Sequence, residues 1–294
     1  MSSNNFTSNI PVGISLSLLE VVCTIIIASL VKFIAGDLSV LMILFFRYFF
    51  CVPLLLITAI KQRKYDALKI NSNFGLFVRT LTGIGSFGCL FAALQFIDLS
   101  LMTTLLQTMP LFVVLLAPIL IKEFVGWSRK FLALFGFIGV IIILDPFEKD
   151  WVNFGIIFGV LSPFFGAIMT IFVRRLGKTD HPATTALWYN ILSAIVFLLV
   201  CLIFDIKWPN FNQTLIILTI IGFVSSLQQI CLAYSLKFAP ASLLAPLRYV
   251  SVPIGILVGV FYFREEISIN FFIGTTIIVF CSLMIIKTKQ KNNK

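Results

Sequence analysis

The sequence predicts an all-α polytopic membrane protein whose ten transmembrane helices form two inverted five-helix repeats. Three observations lead to this fold class: an apolar composition, ten apolar runs of membrane-spanning length, and a match between the two halves of the chain. Of the 294 residues, 60% are hydrophobic and 12% are charged, and the mean hydropathy is +1.07. Soluble domains carry about 25% charged residues. Most of this chain is therefore expected to face lipid.

The apolar runs are long enough to cross about 30 Å of hydrocarbon as helices of roughly 20 residues. Because lipid offers the backbone no hydrogen-bond partners, such segments are expected to be helical. The predicted spans, one to ten, are 12–34, 38–60, 74–97, 99–121, 128–144, 152–173, 184–204, 214–237, 240–263 and 268–286.

The basic residues are distributed unequally between the two sides of the predicted bundle. At the span ends and in the connections and tail, fifteen lysines and arginines fall on the side of the N-terminus and four on the other side. The positive-inside rule therefore predicts cytoplasmic N- and C-termini in a bacterial inner membrane. The net charge of +10 is largely explained by these loops and by the tail KTKQKNNK (287–294). We expect them to contact anionic lipid and not nucleic acid.

The cysteines and the histidine do not indicate a metal centre. All six cysteines lie inside apolar runs without a CxxC pair, and the single histidine, His181, lies in a polar loop. This pattern predicts neither a disulfide framework nor a zinc site. The sequence has no GxxxxGK[ST] loop, which disfavours an ATP-driven pump. We expect no cofactor.

The two halves of the chain match when one is shifted along the other by a constant offset. Without a gap, this offset places residues 91–123 over 233–265. The predicted domains are therefore 1–145 and 146–294, each with five spans. Because five is odd, the second half would enter the membrane in the opposite orientation. Inverted repeats are typical of transporters, in which the substrate site lies near the midplane between the halves.

An acidic residue follows predicted spans four and nine: Glu123 in the first half and Glu265 in the second, which Gly274 follows by nine residues. With five plus five spans, these features resemble the EamA branch of the drug/metabolite transporter superfamily. In the first half, Leu132 stands where the family pattern has a glycine, and Lys122 replaces the usual glycine before the glutamate. The resemblance covers nearly the whole chain. It implies secondary transport of small metabolites through a cavity lined mainly by spans 1, 3, 4, 6, 8 and 9.

An arginine interrupts the aromatic run FFRYFF (45–50) in predicted span two. A charge at the centre of a membrane helix costs about 2.5–3.5 kcal/mol on insertion scales, so Arg47 requires compensation. Glu20 on span one is expected at a similar depth, near the midplane. We predict a structural ion pair between Glu20 and Arg47. The alternative is a proton-coupling role for Glu20.

Arg248 is the leading candidate for substrate binding. It lies in APLRYVSVP (245–253), where two prolines weaken the backbone of predicted span nine. Helical spacing places Arg248, Ser251, Gly255 and Gly259 on one face, which predicts a charge in a groove of small residues. The alternative is a kinked packing helix in which Arg248 binds backbone carbonyls.

Other polar residues of the spans are candidates for substrate contact, with close helix packing as the alternative for the small ones. They are Tyr249, Tyr234, Gln229, Gln107, Thr103 and Ser86. Arg79 lies about five residues from the cytoplasmic end of span three and is expected to extend to the membrane interface.

The predicted function is transport, by alternating access, of a small polar metabolite such as an amino acid or another acidic or zwitterionic compound. The buried arginines outnumber the single buried glutamate, which favours an acidic group on the substrate. The resemblance also implies, as an alternative, uptake of a vitamin or nucleoside-like compound such as riboflavin or S-adenosylmethionine. A monomer is the expected unit. An intramembrane transferase and a receptor or assembly subunit are remoter alternatives, because the loops are short and the polar residues lie at mid-depth.

Overall fold

The computed structural model describes residues 9–122, 125–144, 154–177, 179–209, 213–239 and 244–291. Within these ranges all regular secondary structure is helical. Short 3₁₀ segments occupy Lys64–Asp66 and Ala245–Val250. The α-helices are α1 Ile10–Ile34, α2 Val40–Arg63, α3 Asn73–Ala93, α4 Leu99–Leu106, α5 Met109–Ile121, α6 Trp127–Leu144, α7 Phe154–Leu176, α8 Pro182–Ile203, α9 Gln213–Phe238, α10 Ser251–Phe263 and α11 Ile269–Lys291.

The helices have the length and composition of membrane spans. Among the described residues, nine helical segments are long and apolar enough to cross a membrane, and Leu247–Phe263 is a shorter apolar segment. Together they correspond one to one with the predicted spans. Their number and hydropathy identify an integral membrane protein. Span four is interrupted, because Gln107 and Thr108 separate α4 from α5.

Local sequence signals explain where some helices begin. Asn9 precedes α1, and its side-chain oxygen accepts a hydrogen bond from the Val12 amide at 3.4 Å. His181 precedes α8 and accepts from the Ala183 amide at 3.3 Å through Nδ1. Each side chain satisfies an amide that has no partner within its helix. His181 therefore occupies a structural position at a helix end.

Several helix bounds of the second half repeat those of the first at the same offset that aligns the two halves of the sequence. The offset that places residue 91 over 233 also places α5, Met109–Ile121, over α10, Ser251–Phe263. In the same register α2 and α8 begin at Val40 and Pro182, and α1 and α7 end at Ile34 and Leu176. The break after Gln107 in span four therefore corresponds to the change from 3₁₀ to α geometry before α10.

The two halves pack against each other along their whole length. Helix α3 packs on α7, α1 on α9, α2 on α8 and α9, and α6 on α11. At the α6–α11 contact, a Cβ on Gly139 would lie 2.7 Å from the Gly274 carbonyl oxygen, and one on Gly274 would overlap that of Gly139. Glycine is required at both positions for this close approach.

Two ends of the bundle are distinguished by their contacts. We call the end at which α1 finishes the distal end; there Lys32 Nζ donates to the Ile97 carbonyl at 3.1 Å. We call the opposite end, where α1 begins, the proximal end. There the Asp180 carboxylate accepts from the amides of Asn71 and Ser72, at 2.6 and 3.2 Å, just before α3 begins.

Candidate functional site

A charged pair joins α1 to the 3₁₀ segment before α10. Arg248 Nη2 lies 3.8 Å from Glu20 Oε1, and Glu20 lies near the middle of α1. The Glu20 side chain is 8% exposed, whereas that of Arg248 is 43% exposed. A separation of 3.8 Å is too long for a hydrogen bond. The pair is therefore an ionic contact in which both groups retain capacity to bind a ligand.

Polar contacts connect the break in span four to α10 and α11. Gln107 Nε2 donates to Ser251 Oγ at 2.6 Å, and Ser282 Oγ donates to the Gln107 carbonyl at 3.3 Å. Pro110 has no amide hydrogen, so the Leu106 carbonyl has no helical donor four residues on. The broken helix thus brings the Gln107 side chain and backbone carbonyls to mid-depth. Gln107 contacts Ser251, which lies one helical turn after Arg248.

The face of α10 that was predicted to form a small-residue groove is filled. A Cβ on Gly255 would overlap Thr103 Oγ1, and one on Gly259 would overlap Glu265 Oε2. These glycines therefore make room for α4 and for a carboxylate, and not for a substrate. Tyr249 is buried beside this face; no described partner meets strict hydrogen-bond geometry with its hydroxyl, although the Ser282 hydroxyl is close.

A contact that the sequence did not reveal extends the site toward α9. Thr24 lies one turn after Glu20, and its hydroxyl accepts from Gln228 Nε2 at 2.9 Å. The sequence predicted substrate contact for the neighbouring Gln229 and not for Gln228. The shared helical face of Glu20 and Thr24 was the available signal, but the sequence did not indicate which helix this face meets.

The predicted pair between Glu20 and Arg47 does not form, because Glu20 contacts Arg248 instead. Arg47 is completely buried, and its guanidinium carbon lies 3.7 Å from the centroid of the Phe87 ring and 4.8 Å from that of Tyr48. No described acceptor meets hydrogen-bond geometry with its nitrogens, although the Tyr189 hydroxyl is close. The physical reason is that α2 turns Arg47 toward α3 and α8, where aromatic faces attract the cation.

Arg79 also differs from the prediction, which placed it at the membrane interface. It is 9% exposed, and its Nη1 donates a hydrogen bond to Thr185 Oγ1 on α8. Its guanidinium carbon lies 5.5 Å from the centroid of the Tyr189 ring. Tyr189 and Tyr48 share a hydroxyl–hydroxyl hydrogen bond of 2.9 Å. The α2–α3–α8 contact is therefore a separate buried polar cluster.

The remaining predicted residues lie apart from Arg248. Gln229 exchanges hydrogen bonds with Asn190 on α8 at 3.0 and 3.4 Å. Tyr234 accepts from Gln62 at 2.7 Å near the proximal end. Ser86 donates to a backbone carbonyl of α7 at 3.0 Å. Of the predicted substrate contacts, the structure brings together Arg248, Tyr249, Ser251 and Gln107, with Glu20 added, whereas Thr103 packs against Gly255 about two helical turns away.

The structure describes one of the two acidic residues of the family pattern. Glu123 lies outside the described residues. Glu265 lies at the distal end, between α10 and α11, where its Oε1 accepts from the Leu99 amide at 2.6 Å and from Lys32 Nζ at 2.9 Å. Its Oε2 accepts from the amide and the hydroxyl of Ser100, at 3.0 and 2.6 Å. Burial alone would raise the pKa of the Glu265 carboxyl, but these hydrogen bonds lower it below its ordinary value.

Broken helices that meet at mid-depth around a charged pair are typical of secondary transporters. The chain belongs to the EamA-like transporter family, whose profile matches residues 11–145 and 153–287. It is therefore a membrane protein of a transporter family, as the resemblance implied.

Curated relatives carry transporter names. The riboflavin transporter of Vibrio cholerae is 30% identical over 190 residues, which make up 65% of this chain and 63% of that protein, less than two thirds of its length. The S-adenosylmethionine uptake transporter of Rickettsia prowazekii is 26% identical over 280 residues, 95% and 94% of the two chains. The pseudopaline exporter of Pseudomonas aeruginosa is 25% identical over 283 residues, 95% and 97%.

A solved crystal structure also matches this fold. The TM-score is 0.64 at 16% identity, and the superposition covers 96% of this chain and 99% of the other. At this identity the likeness concerns the fold alone.

Proposed function

We propose that the protein is a secondary transporter of the bacterial inner membrane that moves a small acidic or zwitterionic metabolite by alternating access. The site consists of Glu20 and Arg248 at its centre, with Gln107, Ser251 and Tyr249 around them. Arg248 binds an acidic group of the substrate, and Glu20 competes with that group for the arginine.

The exposure of Arg248 carries this proposal. An arginine in a membrane-embedded segment is costly unless it reaches water or a partner. Arg248 lies 3.8 Å from a carboxylate and still leaves 43% of its side chain exposed. An exposed cation at mid-depth is suited to a ligand that arrives through an aqueous path. Tyr249, whose buried hydroxyl lies close to Ser282, supplies a further polar group beside it.

We further propose that residues 1–145 and 146–294 are inverted repeats that rock against each other around this site. The common register of the two halves, the breaks at equivalent positions and the pairing of α1 with α9 and α3 with α7 support this arrangement. The excess of basic residues in the proximal connections supports a cytoplasmic proximal end.

A second candidate function is uptake of a vitamin or nucleoside-like compound. The name of the Vibrio relative supports it. S-adenosylmethionine, named for the Rickettsia relative, is nucleoside-like but carries an amino-acid carboxylate, so it fits both candidates. Riboflavin lacks a carboxylate, so a substrate of that kind would depend on Gln107 and Tyr249 more than on Arg248. A transferase activity has less support, since the chain belongs to a transporter family.

The experiment is a thermal-shift screen of the purified protein against amino acids, other small acids, riboflavin, nucleosides and S-adenosylmethionine. A ligand that binds the native state raises the melting temperature by mass action. We expect a carboxylate-bearing compound to be a hit, and Arg248→Ala to weaken its binding about 30-fold, the loss of one charge-assisted hydrogen-bonding group. Arg175→Ala, at an exposed arginine near the end of α7, is the matched control.

The outcomes separate the candidates. A carboxylate hit that disappears in Arg248→Ala and survives in the control supports an acidic substrate at this site. A riboflavin or nucleoside hit that survives Arg248→Ala supports the second candidate. Equal binding of a carboxylate ligand by the native protein and Arg248→Ala would contradict the proposed site.

A further inference from the structure

At the distal end, the start of α4 is held by a carboxylate from another part of the chain. Asp98 occupies the N-cap position of α4, and aspartate is a preferred residue there. Its side chain makes no capping hydrogen bond; it is 55% exposed and lies 3.6 Å from Lys32. Glu265, from the connection after α10, accepts from the first amides of α4 in its place.

The chain around Glu265 is shaped for this contact. Arg264 ends α10 in the left-handed conformation, with φ of 56°, and turns the backbone so that the Glu265 amide donates to the Gly259 carbonyl at 3.0 Å. Gly259 also leaves room for the carboxylate, because a Cβ there would overlap Oε2. A substitution at Gly259 would therefore displace Glu265.

The capped helix leads directly to the proposed substrate site. Helix α4 has eight residues, so its first turn and the break at Gln107 are two turns apart. The same helix places Thr103 against Gly255 of α10, and Gln107 donates to Ser251. Glu265 and Gln107 thus connect the two ends of α4 to α10. Lys32, near the end of α1, also donates a hydrogen bond to Glu265 at the distal end.

We propose that Glu265 is a positioning residue that closes the distal end of the transport path: it holds α1, α4 and α10 together, and its release from α4 opens the site toward that end. The inference rests on the proposed function. A helix that needed only a cap would be served by its own Asp98. A cap supplied from the end of α10 instead makes the contact depend on the relative positions of α4 and α10, the elements that must separate for access.

The test measures access to Thr103, which α10 covers in the closed arrangement. Thr103→Cys is the reporter, and a membrane-impermeant charged thiol reagent is added to intact spheroplasts and, separately, to inside-out vesicles. Site-resolved mass spectrometry distinguishes this position from the native cysteines. The reporter is compared in the native background, in Glu265→Gln and in Glu266→Gln. The last is a matched control, because Glu266 is the exposed neighbour of Glu265.

We expect Glu265→Gln to raise the rate of labelling about tenfold from the side of the distal end only, which is the outside of spheroplasts under the proposed orientation, because charged hydrogen bonds that favour one state are lost. An increase from the side of the proximal end would contradict the inference. Glu266→Gln is expected to leave the rate unchanged. Should Glu265→Gln impair folding, Ser100→Ala removes only the 2.6 Å hydroxyl contact and is expected to give a smaller increase from the same side.

A structural cap without a gating role would lower the melting temperature of Glu265→Gln but leave labelling unchanged on both sides, and this result would overturn the inference. So would an equal increase from both sides. Labelling needs no substrate, so a failure of the ligand screen leaves this test intact, and a failure here leaves the substrate site intact.

Discussion

Arg47 and Arg248 are both arginines in membrane-embedded segments, yet their surroundings differ. Arg47 is enclosed by aromatic rings, with no exposed surface and no carboxylate at ion-pair distance among the described residues. Arg248 lies beside Glu20 and is nearly half exposed. Accessibility is therefore the difference on which our proposal depends: we propose a structural role for the enclosed Arg47 and ligand binding for the exposed Arg248.

The largest expected effect is on stability, at Arg47. Arg47→Ala removes the contacts with Phe87, Tyr48 and Phe91 and leaves a cavity, which we expect to lower the free energy of unfolding by about 3 kcal/mol. Thermal unfolding in detergent measures it. Arg47→Met, which fills most of the same volume, is expected to cost about 1 kcal/mol. Loss of ligand binding with unchanged stability would reverse our assignment.

The next effect concerns the charged pair. We compare the free energy of unfolding of Glu20→Gln/Arg248→Gln with that of the two single variants. The expected coupling energy is about 1 kcal/mol, because the groups lie 3.8 Å apart and one of them is half exposed. The alternative role of Glu20 in proton coupling makes a second prediction: in proteoliposomes, Glu20→Gln retains substrate exchange and loses accumulation driven by a pH gradient. Normal gradient-driven accumulation would leave Glu20 with a structural role only.

A smaller effect is expected at the break in span four. Gln107→Leu removes the hydrogen bond to Ser251, and we expect ligand affinity to fall about fivefold, equivalent to about 1 kcal/mol. Ser251→Ala should have a similar effect, and the double variant should fall no further than either single variant. Additive losses measured by titration of the ligand would show that the two side chains act separately.

The smallest effect is the response of the distal contact to pH. The pKa of Glu265 lies below its ordinary value of 4.5, so the stabilisation is present above that value and is lost only as pH falls through the lower folded-state pKa. Once each rate is divided by the thiolate fraction of the cysteine at that pH, labelling of Thr103→Cys should therefore be equal at about pH 7.5 and about pH 5.5. A large increase at the lower pH would show that Glu265 takes up a proton near neutrality in the presence of Lys32 and Asp98.

Much of the fold was predictable from the sequence, because hydropathy determines which segments enter a membrane. The register between the two halves also places Gln107, at the break in span four, over Tyr249 in the 3₁₀ segment before α10. Contacts between helices were not predictable in the same way. The face of α2 that carries Arg47 is clear from its spacing, but the neighbour of that face depends on how ten helices pack, and several arrangements bury apolar surface equally well.

The same holds for the candidate site: features of a single helix were predictable, and contacts between helices were not. Arg248 was a candidate from the sequence because prolines and small residues surround it, and its role in binding stays a prediction. Its partner Glu20 was assigned to Arg47 because depth was the only available criterion, and depth does not define rotation about a helix axis. The role of Glu265 was also hidden, since its partners Lys32, Leu99 and Ser100 lie in the first half of the chain, far from it in sequence.

Two left-handed residues, Lys122 and Arg264, end the matching helices α5 and α10, with φ of 53° and 56°. In this conformation a residue with a Cβ is less stable than glycine by roughly 1 kcal/mol of conformational free energy. This accounts for the glycine that the family pattern usually places before its glutamate, where this chain has Lys122. A protein engineer thus has two sites at helix termini, both remote from Arg248, where glycine would raise the melting temperature for crystallisation.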